Sequence, residues 1–515
     1  MRFAALPILL LTAPAAAQTA APPDLDAYVG RVMKAFDVPG VSLAIVKDGQ
    51  VVVTKGYGVR RLGTPEPVDA HTLFGIASNT KVFTATALGL LVEEGRIEWD
   101  APVIRYLPSF RLSDPYVTAQ LTVRDLLVHR SGLGLGAGDL LWWPPSTYDR
   151  KEIVRRLQYL PLATSFRSAY AYDNVLYSVA GEVIEAVSGQ SWETFVEQRI
   201  LRKIGMTESS VRHSGSANGG NVASPHAPVE GAVRPVEPFG GDNVNPAGGI
   251  NSNAVEMAKW VIVQLDSGRT VDGSRLFRSG LTRQIQSIVT PIPFGNPPPE
   301  LAPLKHSFQG YGLGEGILDY RGTKLVTHTG GLPGFVSRVA MLPEHRLGVV
   351  VLTNQEATAA FDAIVNRVFD HYLKAPAFDW LAGYQAVTAR AAEQVAAIER
   401  KAATDRNAAS RPSLPLERYA GNYEDRWYGD IGIGLEGGRL VIRFSHSPDL
   451  VGDLEHWQYD SFLVKWRNRE LRADAYLTFA LGPDGSVERA RMLPASPLVD
   501  FSYDFQDLEL LPAHR

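Results

Sequence analysis

The sequence predicts an α+β domain followed by a small all-β barrel-like domain. Three observations carry this. Strand-like runs lie at both ends of residues 24–375 with helical spacing between them, an Ala-rich stretch at 376–410 separates two regions of different pattern, and short strands with regular turn signals fill the rest. Strands at both ends of the first region imply one antiparallel sheet assembled from both ends and covered by a helical insert. The expected organisation is a leader at residues 1–17, the α+β domain at 24–375, a helical connector at 376–412 and the β-domain at 413–515.

The 515 residues exceed what one core normally holds, and 45% hydrophobic with 21% charged residues is ordinary for a globular chain. Arg2, an apolar run at 4–13 and Ala15-Ala16-Ala17 have the order of a secretory leader, with cleavage expected after Ala17 to leave Gln18 first. The apolar run is too short for a stable span of a membrane, and no later window is long enough. With no cysteine, a lipid-anchoring thiol and disulfides are excluded. The expected location is therefore the periplasm or the secreted fluid. A net charge of −4 and the lack of a long basic run argue against nucleic acid as a partner.

Residues 25–36 show helical spacing through Leu25, Tyr28, Val29, Val32 and Phe36. Runs at 41–46 and 51–57 flank Asp48-Gly49, a hairpin signal. A helix is expected after Lys81, with Ala85, Leu88, Leu91 and Val92 apolar and Gly95 placed to end it. Helices and long loops follow to about residue 270, including Trp142-Trp143-Pro144-Pro145, which reads either as core packing or as a wall of a ligand pocket. Pro-rich 291–303 is a loop, strands lead from Gly310 to His328 and beyond, and an amphipathic helix at 358–372 closes the domain. After Arg411-Pro412-Ser413-Leu414-Pro415, strands are expected at 421–423, 431–435, 439–444, 461–466, 475–481 and 487–493.

Three segments carry chemistry. The first is Ser78-Asn79-Thr80-Lys81. If a helix starts near Ser78, its hydroxyl and the Lys81 amine share a face one turn apart. A serine is a poor nucleophile until a base takes its proton, and a lysine can be that base only if burial or nearby positive charge lowers its pKa. Alone, the tetrad reads equally as a capping serine and a solvated lysine. The second is Tyr172-Asp173-Asn174 ahead of a helical run, offering a phenol and an amide. The third is His328-Thr329-Gly330-Gly331, where glycines allow close approach to the backbone.

Ser-x-x-Lys, Tyr-x-Asn and His-x-Gly, in this order across residues 24–375, resemble the penicillin-recognising serine hydrolases. That family includes class C β-lactamases, D,D-peptidases, D-aminopeptidases and esterases. The phrases from Leu126 to Leu133 and from Ala247 to Ser252 add to the resemblance, and the β-domain with Leu416 to Tyr423 resembles the lipocalin-like domain that often follows this fold. The resemblance implies a β-lactamase/transpeptidase-like fold with Ser78 as nucleophile. It implies that Lys81 and Tyr172 share the proton, that backbone N–H groups of Ser78 and Gly331 form an oxyanion hole, and that Asn174 and His328 orient the substrate. The departure is His328, where β-lactamases carry a lysine facing the substrate carboxylate. A histidine is only partly charged near neutrality, which points away from penicillin-type carboxylates.

No His-Glu-x-x-His, Gly-x-Ser-x-Gly or strand-borne Gly-x-Gly-x-x-Gly is found, so no metal and no cofactor are expected. The expected substrate is a small peptide, amide or ester. A peptidase on short, linearised or D-residue-containing peptides is favoured over an esterase and then a β-lactamase. From another class, a penicillin-binding sensor or silent scaffold lacks support, since no membrane segment relays a signal and Ser78, Lys81 and Tyr172 are all present. The oligomeric state and the role of the β-domain are left open.

Overall fold

The computed structural model describes residues 20–214 and 220–513; the expected leader at 1–17 lies outside them. Asp48-Gly49 forms the predicted hairpin between β1 (Gly40–Lys47) and β2 (Gln50–Gly58). Among the described residues this hairpin joins six later strands in one antiparallel sheet. These are β3 (Thr290–Pro291), β4 (Gln309–Tyr311), β5 (Gly316–Tyr320), β6 (Thr323–Leu332), β7 (Phe335–Leu342) and β8 (Leu347–Thr353), in the spatial order β2-β1-β8-β7-β6-β5-β4-β3. The two ends of the domain meet at β1 and β8, where Val41 faces Thr353 and Lys47 faces Leu347. The sheet assembled from both ends is thus observed.

Both faces of the central strands are covered, which is why β1 and β8 read as continuous apolar runs. Leu43, Ile45, Val349 and Val351 pack under α1 (Leu25–Ala35) and Phe361, Ile364 and Val368 of a late helix, Thr358–Leu373. The alternate residues Ala44, Val46, Val350 and Leu352 join the core of the helical insert. That insert is built around α2 (Lys81–Glu93), α3 (Val175–Ser188) and α4 (Ala254–Leu265). Gly95 follows α2 with φ of 71°, the left-handed conformation that lets the chain leave the helix.

A 26-residue helix, Trp380–Asp405, leads away from the sheet; only Trp380, Gly383 and Tyr384 of it are buried. Beyond it, eight strands close into a barrel: β9 (Gly421–Asp425), β10 (Gly429–Glu436), β11 (Arg439–Phe444), β12 (Val451–Gln458), β13 (Ser461–Trp466), β14 (Ala475–Leu481), β15 (Val487–Pro494) and β16 (Glu509–Pro512). Aromatic side chains fill its interior, among them Tyr419, Tyr428, Phe444, Phe462, Trp466 and Phe505. Two of these strands, β12 and β16, are not among those expected from the sequence. β12 mixes charged and half-exposed residues, and β16 is four residues long and ends in proline.

Candidate active site

Ser78 sits in a 3₁₀ turn, Ala77–Thr80, that runs straight into α2. In a 3₁₀ turn side chains three apart eclipse each other, so the Ser-x-x-Lys spacing brings its two ends together. Lys81 Nζ lies 3.0 Å from Ser78 Oγ. Ala77, just before the serine, has φ of 48°, a strained conformation for a residue with a side chain.

Lys81 is fully buried, and its amine has two further partners, Asn174 Oδ1 at 2.8 Å and the Ala247 carbonyl at 3.0 Å. Both can only accept, so a neutral lysine donates its two N–H bonds to them and turns its lone pair to the Ser78 hydroxyl. Burial pushes the Lys81 amine down to about 7, against the opposing pull of Asp139 and Asp173. The ring of Tyr172 lies 4.8 Å from Nζ, and Ser78 is among the groups that act on its phenol. Desolvation holds that phenol well above its ordinary range, so it keeps its proton. His129, from the phrase noted in the sequence, is buried against Tyr172 with ring centres 4.3 Å apart, and its Nδ1 accepts the Asp173 N–H.

Asn174, expected to orient the substrate, is also bound to two protein groups. Its oxygen faces Lys81 and its Nδ2 donates to Asp139 Oδ2 at 2.8 Å, so this amide links two protein groups and has one N–H left for a ligand. Asp139 is fully buried; it also accepts from Trp142 Nε1 at 2.9 Å, and burial raises it to about 7. Nothing in the sequence marks this aspartate, which lies in a Gly-rich loop without a motif.

His328 departs from expectation. Nδ1 donates to the Thr329 carbonyl, so Nε2 accepts the Tyr311 hydroxyl at 2.7 Å. Burial, with the Lys81 charge nearby, pushes the imidazole down to about 3. It is therefore neutral at pH 7 rather than partly charged. Tyr311 is a second residue the motifs do not reveal.

β6 carries the third motif past the nucleophile. Its pairing with β5 stops at Thr327, while pairing with β7 continues to Leu332. Gly330 packs flat on the Ser78 turn. A Cβ there would lie 2.2 Å from the Ile76 carbonyl oxygen and 2.5 Å from Ser337 Oγ. Gly331, by contrast, faces open space. Gly330→Ala is therefore expected to push β6 off the turn, lowering the thermal midpoint by several degrees and turnover by at least about tenfold, on the scale of overpacking a core. A fully active variant with an unchanged melting curve would show that strand and turn do not need this contact.

Gly331 lines a cleft of about 370 Å³ between the two domains, walled by Trp143, Phe239, Leu332, Leu498 and Tyr503. Trp143 is 7% exposed and lies on the cleft wall. The carboxylates Glu237, Glu356, Asp449, Glu470 and Asp500 also border the cleft, and Arg472 there is held in a two-bond pair with Glu356, each bond 2.6 Å.

Every motif residue precedes residue 332, yet the barrel reaches the site. Ser502 Oγ donates to Asp139 Oδ2 at 2.8 Å, and the Phe501 ring meets Tyr172 edge-on at 6.0 Å. Asp504 accepts the N–H groups of Gly138 and Leu140.

The Beta-lactamase family model matches residues 25–372, and a domain of unknown function (DUF3471) matches residues 405–512. A protein of Aspergillus campestris named Unguisins hydrolase ungD' is 30% identical over 494 residues, covering 91% of this chain and 89% of its own. Unguisins hydrolase ungD of Aspergillus violaceofuscus is 29% identical over 451 residues, 80% of this chain and 76% of its own. The octameric penicillin-binding protein homologue from Pyrococcus abyssi has a similar structure, with a TM-score of 0.60 at 21% identity over 95% of this chain and 99% of its own.

Proposed function

The chain belongs to the Beta-lactamase family and is a serine hydrolase; from that premise we propose an exported peptidase that forms an acyl-enzyme on Ser78 and acts on short, linearised or D-residue-containing peptides. The observation that carries the nucleophile is the buried Lys81 amine, lowered to about 7 and 3.0 Å from Ser78 Oγ.

In this mechanism neutral Lys81 takes the Ser78 proton as Oγ attacks the carbonyl carbon. The oxyanion is met by the N–H groups of Ser78 and Gly331, donors worth roughly 3 kcal/mol each to a transition state. Tyr172, which keeps its proton, passes it to the leaving nitrogen and is refilled from Lys81. Water then hydrolyses the ester, with the same groups run in reverse. Labelling with a fluorophosphonate, followed by mapping of the modified residue, tests the assignment.

Two features support a substrate without a carboxylate at the recognition point. His328 is neutral, and the Arg472 guanidinium at the cleft is paired with Glu356 among several other carboxylates. Peptides or esters are thus expected to turn over much faster than nitrocefin. His328→Lys is expected to move the ratio toward carboxylate-bearing substrates. Cephalosporin hydrolysis faster than that of any peptide or ester tested would return the enzyme to the β-lactamases. Among the described residues no helix is long and apolar enough to cross a membrane. Export is checked by N-terminal sequencing of the secreted protein, expected to begin at Gln18.

A further inference from the structure

The C-terminal barrel contributes more than a wall to the cleft. Between β15 and β16 the chain turns back toward the hydrolase domain, and Ser502, 4% exposed, donates its hydroxyl to Asp139. Both Ser502 Oγ and Asn174 Nδ2 sit 2.8 Å from the same oxygen, Oδ2, while Trp142 Nε1 holds Oδ1. Three donors converge on this carboxylate, an arrangement suited to its ionised form. A proton on Oδ2 would meet the two donors already there and turn the Asn174 amide away from Lys81.

We infer that Ser502 is a positioning residue for the hydrolase: it fixes the Asp139 carboxylate, which orients Asn174, which in turn holds the Lys81 amine against the Ser78 hydroxyl. The barrel thereby completes the nucleophile's base from a separate domain. Phe501 against Tyr172, and Asp504 on the N–H groups of Gly138 and Leu140, fix the same segment to the same loop. The charged and titratable groups facing Asp139 are Lys81 and Tyr172 across the site and Asp504 from the barrel. Since burial already raises Asp139, loss of one donor favours its protonated form further.

This rests on the reading of Ser78 and Lys81 above, and the test separates the two. The rate of fluorophosphonate labelling at Ser78 is measured against pH in the full chain and in Ser502→Ala and Ser502→Thr, with kcat and KM on a chromogenic ester. The reactive form needs Asp139 ionised as well as Lys81 neutral, so the two set the acid limb of labelling together, and in Ser502→Ala the rise of Asp139 is expected to move that limb up by about one pH unit, the size of one lost hydrogen bond to a charged group. Labelling and kcat at pH 7 should fall about tenfold, KM should change little, and Ser502→Thr should restore both rate and limb. An unmoved limb in Ser502→Ala, or a shift that threonine does not correct, overturns the inference and leaves Ser502 a packing contact. If the alanine variant does not fold, Ser502→Cys keeps the volume with a weaker donor and must show the same upward shift in smaller measure; a folded cysteine variant with an unmoved limb overturns it equally. Failure to label Ser78 in the unaltered protein would overturn the site reading instead.

Discussion

Ser78→Ala is expected to lower turnover by about 10⁵-fold or more and to abolish fluorophosphonate labelling, the scale seen when a nucleophile acting with its base is removed. The fold should survive, because the change deletes one hydroxyl from a half-buried position and leaves Lys81 its bonds to Asn174 and Ala247. A thermal midpoint within a few degrees of the parent checks this. Labelling that persists at another residue would end the assignment of Ser78.

Lys81→Met should be nearly as severe, at about a hundredfold to ten-thousandfold. Methionine keeps most of the volume but leaves the Asn174 oxygen and the Ala247 carbonyl without a donor. The pH profile distinguishes loss of the base from general damage. With the amine lowered to about 7, activity of the parent should rise as pH increases through that value, because the neutral form takes the proton. The variant should lack the rise. Stability carries the same signature. Between about 7 and the ordinary lysine value of 10.5 the unfolded chain binds a proton that the folded one does not, so this group makes the fold more stable as pH rises through that window. Tyr172→Phe should cost at least about a hundredfold without moving the limb, since the phenol of the resting enzyme is protonated across that pH range. Near-normal rates in both variants would place the proton path elsewhere.

The parts of this molecule legible in its sequence are those fixed by local chemistry. Asp48-Gly49 names its own hairpin, and the apolar run at 41–46 reads as the strand that forms there. Ser78 and Lys81 could be paired because three residues of chain set their distance. Asp139 and Ser502 could not, because neither stands in a motif and their contact joins positions 363 apart. The charge of His328 was also hidden: a sequence gives histidine its ordinary range, whereas burial and the Tyr311 hydroxyl decide the actual state. β12 escaped detection for a related reason. A barrel strand with half-exposed charged positions alternates weakly, and only its neighbours β11 and β13 define it.

The hold of Asp504 and Ser502 on the loop at 138–140 has a consequence in time. The three bonds span 366, 364 and 363 positions, so they join parts of the chain made far apart. At a synthesis rate of roughly 5–20 residues per second, the nucleophile and its lysine exist well before the segment that secures the loop beside them. Contacts this distant also form late in folding, since their loop closure must precede any gain from them. If Ser502 positions Asp139 as inferred, the newborn hydrolase domain reaches its full reactivity only once Ser502 and Asp504 have been made and have docked on this loop.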